Sequence, residues 1–307
     1  MEAALTAVVA TALYYLGVAF FKVSAAQMDR LRGTKPVHLL VAMLTSRLWW
    51  TGFLLGLSGF VLQFVALSML PLSVAQPIFV STLVVCLAIA FGYFGERLTP
   101  REWSALGLFA FATLLVALSV VPVERSDTAT PPLWLLLAVT LPSILIAVMM
   151  FSAGDWKPAG RHARKLTGVA YGLSSGVLIG TMELSVKGMS NVWNAHHSLP
   201  PFLTNPYLYT FCVAAVVGLG QLQIALQRCR MAIVLTVCTV VAKTQLLVTA
   251  TLLYGEAWPD STVYGALRLT GFLLGLTALA FFPRYETPDH QIDPLSQPHH
   301  YATRHPF

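Results

Sequence analysis

Charge is what this chain has little of. Only 10% of its 307 residues are Asp, Glu, Lys or Arg, whereas 56% are hydrophobic, and the mean hydropathy is +0.70. A soluble domain carries roughly 25% charged residues, so a water-soluble enzyme and a disordered chain are both excluded. Cysteine is equally sparse. Cys86, Cys212, Cys229 and Cys238 lie in or beside apolar runs without disulfide or zinc spacing, and they read as free thiols in a membrane. No basic residue precedes the first apolar run, which therefore reads as a retained helix and not as a cleaved signal peptide. GxSxG, HExxH, P-loop and paired-carboxylate patterns are all lacking, so neither an enzyme nor an ATP-driven pump is expected, and no cofactor. A pI near 9.3 and a net charge of +6 would suit nucleic acid, but the charges sit between apolar runs instead of along one wet stripe, and no nucleic-acid partner is expected.

What is there is a series of long apolar runs. A helix needs about 20 apolar residues to cross a bilayer. Nine stretches qualify: Ala3–Phe21, Trp49–Met69, Ser73–Tyr93, Trp103–Val121, Pro132–Phe151, Leu166–Val186, Tyr207–Gln227, Met231–Tyr254 and Ser261–Phe282. His38–Leu44 is apolar but too short, and is expected to lie at the interface. Basic residues favour the cytoplasmic side. With the N-terminus outside, fifteen of the seventeen loop and tail lysines and arginines fall on the inner side, leaving Arg125 and Lys187 outside; Lys243 and Arg268 lie within spans. The expectation is a multi-pass cell-membrane protein with its C-terminus in the cytoplasm and a polar, disordered tail over 284–307.

Sliding the chain against itself by 160 residues pairs Gln63 with Gln223, Val74 with Val234, Val80 with Val240, Leu87 with Leu247 and Ala90 with Ala250. The run Tyr93-Phe94-Gly95-Glu96 then meets Leu253-Tyr254-Gly255-Glu256. Each repeat holds four helices, and one linker helix between them inverts the second. The expected fold class is an all-α membrane protein of nine transmembrane helices, two inverted four-helix repeats joined by a linker helix. Its parts are a first repeat over 1–131, the linker helix and inner loop over 132–160, a second, inverted repeat over 161–283, and the tail. Inverted repeats serve alternating access around a midplane site.

Several motifs carry a family likeness. They are Leu48-Trp49-Trp50-Thr51-Gly52, Ala66-Leu67, Pro71-Leu72-Ser73-Val74-Ala75-Gln76-Pro77 and Gly95-Glu96-Arg97-Leu98. With them the chain resembles the drug/metabolite transporter superfamily from about Ala3 to Phe282, and within it the NIPA-type magnesium transporters. The likeness lies in the nine spans, the paired tryptophans entering the second helix, the proline-bearing third helix and a lysine near the end of the sixth, here Val186-Lys187-Gly188. The Gly-Glu ending is specific to the superfamily and only weakly to the magnesium branch. The resemblance implies a small-solute carrier, with Mg²⁺ as one solute.

The candidate pathway residues come from charge and amide groups inside apolar runs. Glu183 is the acidic residue well inside a span, and intramembrane charge marks function by default. Its alternative is a local pair with Lys187, one helical turn on. Lys243 falls near the centre of its span, on a stripe with Thr236 and Thr239; it either lines a cavity or is tied up in a salt bridge or by carbonyls. Arg268 is similar but shallower. Gln63 and Gln223 are repeat-related amides that serve either as ligands or as interhelical glue, and Gln76 belongs to the proline-flanked third span. Gly168, Gly172, Gly176 and Gly180 follow a four-residue spacing that suits close helix packing or a rocking surface. Glu96 and Glu256 read as capping or latching groups. The metal-ligand set is unknown: hard divalent cations want several oxygen ligands, and one carboxylate beside Lys243 and Arg268 suits an anionic or zwitterionic metabolite better. Three functions therefore stand side by side: a carrier of Mg²⁺, an exporter of a small organic metabolite or drug, and a non-transporting membrane scaffold. The expected partners are a small solute or ion and the lipid bilayer, with a homodimer as an option.

Overall fold

The computed structural model describes residues 2–70, 78, 83–119, 133–156, 163–254 and 261–281. Among them the chain is helical throughout, with no strand. In chain order the helices are α1 (Glu2–Gln27), α2 (Pro36–Thr45), α3 (Arg47–Met69), α4 (Leu83–Gly92), α5 (Pro100–Leu118) and α6 (Leu133–Trp156). They continue with α7 (Ala163–His196), α8 (Leu199–Leu203), α9 (Pro206–Arg228), α10 (Met231–Tyr254) and α11 (Thr262–Phe281). By length and composition α1, α3 and α9 can cross a membrane. Shorter apolar helical stretches are α2, α4, Leu133–Met149, Met231–Leu246 and Thr262–Ala278.

Local sequence explains most boundaries. Ser46 caps α3 by accepting from the Trp49 amide at 3.3 Å, and Asn205 caps α9 by accepting from Tyr207 N at 2.8 Å ahead of Pro206. Thr99 and Glu102 close a reciprocal box at the start of α5: the Thr99 amide donates to Glu102 Oε2 at 2.7 Å and the Glu102 amide to Thr99 Oγ1 at 3.4 Å. The short apolar segment His38–Leu44 lies in helix α2, started by Pro36 at a position where a missing N–H costs nothing.

Helix α7 is the main difference from the expected spans. It runs 34 residues, ten past the expected end at Val186, to a stop where His197 takes a positive φ of 47°. Nothing in Lys187–His196 breaks a helix, and Gly188, Met189, Ser190 and Val192 stay buried, so packing extends what hydropathy alone truncates. From Tyr171 onward α7 is largely enclosed, flanked by α9, α10, α6 and α3. Helix α1 lies along α3, and α5 along α11. The outer faces carry exposed Leu54, Leu57 and Val61 on α3 and Leu269, Leu273 and Leu276 on α11. Such contiguous apolar surface is what a bilayer covers. Of the third expected span, α4 is described; Gln76 and Pro77 lie outside the described residues, as do Glu256 and the tail.

Close approach is concentrated at a few glycines. A Cβ on Gly17 would stand 2.6 Å from the Gly52 carbonyl oxygen, and one on Gly59 2.7 Å from that of Ala10, which ties α1 to α3. On α7 the four-residue spacing divides. A Cβ on Gly176 would meet Cys238 O at 2.8 Å and one on Gly180 would meet Ala242 O at 2.9 Å, whereas one on Gly172 would find Val234 O at 3.8 Å, an ordinary contact. The surroundings of Gly168 are not among those described. None of Cys86, Cys212, Cys229 and Cys238 is in a disulfide.

Candidate functional site

Helices α1, α3, α7 and α10 line a small, partly open cavity. Helix α1 brings Thr11, Tyr14 and Tyr15 to its wall, and α3 brings Phe60 and Gln63. Helix α7 adds Ile179 and Glu183; α10 adds Leu235, Cys238, Thr239, Ala242 and Lys243. Four of the candidates read from sequence thus meet at one place: Glu183, Lys243, Gln63 and Thr239.

Glu183 and Lys243 are bound to each other. Lys243 Nζ donates to Glu183 Oε1 at 2.6 Å and to Oε2 at 2.5 Å, and each side chain is 10% exposed. The local alternative is therefore corrected: Glu183 pairs across to α10, while Lys187 Nζ donates to the carbonyls of Leu67 at 3.0 Å and Leu70 at 3.3 Å. Thr239 sits one turn before Lys243 and lies 3.5 Å from the Tyr15 hydroxyl. The pair reaches this position because the Gly176–Gly180 face lets the backbones of α7 and α10 approach closely.

Two candidates lie elsewhere. Gln223 Nε2 donates to Phe21 O at 3.1 Å, joining α9 to α1, which is the glue role. Arg268 Nε donates to Ser119 Oγ at 3.3 Å, between α11 and the end of α5. Gln63 and Gln223, paired in the expected repeat, are therefore placed differently: Gln63 lines the cavity and Gln223 joins two helices.

The sequence reading missed Thr11, Tyr14, Tyr15 and Phe60. Aromatic and hydroxyl groups are common on lipid-facing helices, so only the adjacent tyrosines offered a signal. It also missed Lys22. Lys22 Nζ donates to Leu226 O and Cys229 O, both at 2.7 Å, and so closes the C-terminus of α9, where unsatisfied carbonyls gather partial negative charge. Lys187 does the same for α3. Leu67 and Leu70 lie 159 positions before Leu226 and Cys229, and the lysines 165 apart, so the correspondence is of role and not of strict register.

Glu96 performs the capping role expected of it, on a distant helix. Gly95, at φ 61°, turns the chain after α4, and the Glu96 carboxylate then accepts from Met231 N at 2.6 Å and Ala232 N at 2.8 Å, the first amides of α10. Next to it Arg230 donates to Glu102 Oε1 and to Arg97 O. Burial raises the Glu96 carboxyl above its ordinary value, although the two amides, Lys22 and Arg230 pull it down. A raised carboxyl binds its proton more readily in the folded chain, so stability falls as pH rises from the ordinary carboxylate range through the raised value. Melting followed from about pH 4 to pH 7 should show that fall, and Glu96→Gln should flatten it; an unchanged slope in the variant would remove Glu96 as its source.

These features define a protein that is helical throughout its described elements, with helices able to cross a membrane and a buried charged pair lining a small cavity. No family model matches the chain, and no solved structure does. It is similar to an uncharacterized protein of Corynebacterium glutamicum, at 27% identity over 184 residues. The match covers 59% of this chain and 59% of that protein.

Proposed function

We propose that the protein is a multi-pass carrier that moves a small organic solute by alternating access. The observation that carries this reading is the placement of the cavity. Its wall takes α1 and α3 from the first expected repeat and α7 and α10 from the second, and its charged pair stands among them. A midplane site at a repeat interface is what an inverted-repeat carrier needs. The two lysine caps support the inversion: a lysine on the first helix of each repeat closes the end of the second helix of the other. In this reading the nine spans hold, the N-terminus faces outward and the C-terminus lies in the cytoplasm.

Between the two solutes, the geometry favours the organic one over Mg²⁺. Mg²⁺ asks for near-octahedral oxygen ligands, whereas both oxygens of Glu183 are held by Lys243. A scaffold that moves nothing has no use for a charged pair beside a cavity, where the pair costs desolvation.

The test is uptake into liposomes carrying the purified protein, against a panel of Mg²⁺ and small metabolites. Transport of an organic solute supports the reading; Mg²⁺ uptake alone would restore the magnesium branch, and no transport of anything would leave the scaffold. Orientation is checked separately. A reporter after Phe307 should read cytoplasmic and one near His196 external; the same compartment for both would break the nine-span arrangement.

A further inference from the structure

We propose that this cavity selects zwitterionic solutes by exchange of charge partners: the solute's anionic group takes Lys243 and its cationic group takes Glu183. The inference rests on the carrier reading above and names the chemistry of its solute.

The argument starts from the wall. Among the described residues lining the cavity, Glu183 and Lys243 are the two that carry charge; Thr11, Gln63 and Thr239 are neutral polar groups, and the rest is mainly apolar or aromatic. Any charge that enters must be balanced by one of these two. A solute bearing one charge takes Glu183 or Lys243 and leaves the other buried without a counter-ion. Leaving a buried charge unpaired is strongly unfavourable, far more than rearranging a pair that stays balanced. A molecule with both charges avoids that loss, because each protein group exchanges one partner for another of the same sign. Lys243 donates to the incoming anionic oxygen, and Glu183 accepts from the incoming ammonium.

The dimensions restrict the class further. Both carboxylate oxygens of Glu183 lie within 2.6 Å of the Lys243 ammonium nitrogen. The two helices that carry them are locked at close range, with Gly176 and Gly180 facing Cys238 O and Ala242 O. The pair can part only as far as two flexible side chains allow, so the solute's charges must sit a few atoms apart. Tyr14, Tyr15 and Phe60 then offer apolar and aromatic surface to the remainder of the solute. The fitting class is a small molecule with neighbouring ammonium and carboxylate groups and an apolar or aromatic substituent.

The same device serves the empty carrier. When no solute is bound the pair closes on itself, and neither charge is left unbalanced while the site changes sides. The unloaded protein can therefore return, which permits net transport instead of strict exchange.

The test compares L-alanine, L-leucine and L-phenylalanine, each beside its methyl ester, a cation, and its deamino acid, an anion. Binding is read as a melting shift of the purified protein and transport as uptake into liposomes. In the wild type the zwitterion should exceed both analogues by about tenfold or more, the step set by one lost charge pairing. Glu183→Gln should erase that margin in favour of the deamino acid, and Lys243→Gln in favour of the ester. The ratio is taken within each variant, so expression does not enter it. The reversed pair, Glu183→Lys with Lys243→Glu, keeps both charges and should retain zwitterion preference; it decides the matter where the single variants do not fold. An analogue of one charge handled as well as the zwitterion, or ratios unmoved by the variants, overturns the proposal. Transport of some other panel solute with no zwitterion moved overturns it while the carrier reading stands. Absence of all transport removes both.

Discussion

Leucine in place of Gly176 should leave little folded protein. The atoms its first carbon would meet are Cys238 O at 2.8 Å, Val241 Cβ at 3.0 Å and Cys238 Cα at 3.1 Å. None belongs to the free end of a side chain, so none can rotate away. Relief requires moving α10 away from α7, and α7 is buried along that stretch. Overpacking by single methylenes costs about 1–3 kcal/mol; leucine adds four carbons and should exceed that range. Gly172 provides the contrast, since a Cβ there meets only atoms at 3.8 Å or beyond. Gly172→Ala should be neutral or stabilising by up to about 1 kcal/mol, because the added carbon meets only ordinary contacts and alanine favours helix over glycine. Melting of purified Gly176→Leu, Gly176→Ala and Gly172→Ala variants decides. Equal losses at both positions would show that spacing matters and the observed packing does not.

The second large effect concerns the charged pair. Glu183→Gln alone leaves Lys243 buried without its partner, and Lys243→Gln does the converse. Each should destabilise by about 3–5 kcal/mol, the usual result of breaking a buried pair from one side. Glu183→Gln with Lys243→Gln should regain most of the loss, since two neutral amides can hydrogen-bond to each other where a lone charge cannot be balanced. The double-mutant cycle reads this as a large coupling energy. Independent residues would instead give losses that add, and that outcome would mean the pair is incidental to the fold. Transport should stay impaired in the double variant even where stability returns, because the amides hold no charge for a solute to meet.

The two predictions mark different degrees of legibility. Glu183 and Lys243 stand out in the chain because charge inside an apolar run is costly, and the sequence places both in such runs. Their mutual choice is not visible there: they lie 60 residues apart, and Lys187 is a nearer cation for Glu183. The glycine periodicity was visible too, but not which glycines touch a neighbour. That depends on how α7 crosses α10, and the crossing brings Gly176 and Gly180 against backbone while Gly172 stays clear.

Gln63 and Gln223 make the same point more sharply. They are the same residue type at matching positions of the expected repeat, yet one faces the cavity and the other donates to Phe21 O. Lys243 and Arg268 are both basic residues within apolar helices, yet one joins the charged pair and the other reaches Ser119. For Tyr14 and Tyr15 the sequence offered their adjacency and nothing more. In an environment where lipid and protein interior are equally apolar, an aromatic side chain gives no sign of which it faces.

By itself, then, the sequence determined that the protein is all helical and apolar enough for a membrane, and which side chains would be costly within it. Those properties follow from composition and local backbone chemistry: runs of apolar residues, caps such as Ser46 and Asn205, and the Gly95 turn. Tertiary structure alone decided which costly groups satisfy each other. Partner choice is a matter of angstroms between helices distant in the chain, and those distances are set by packing at a few glycines, which hydropathy does not encode.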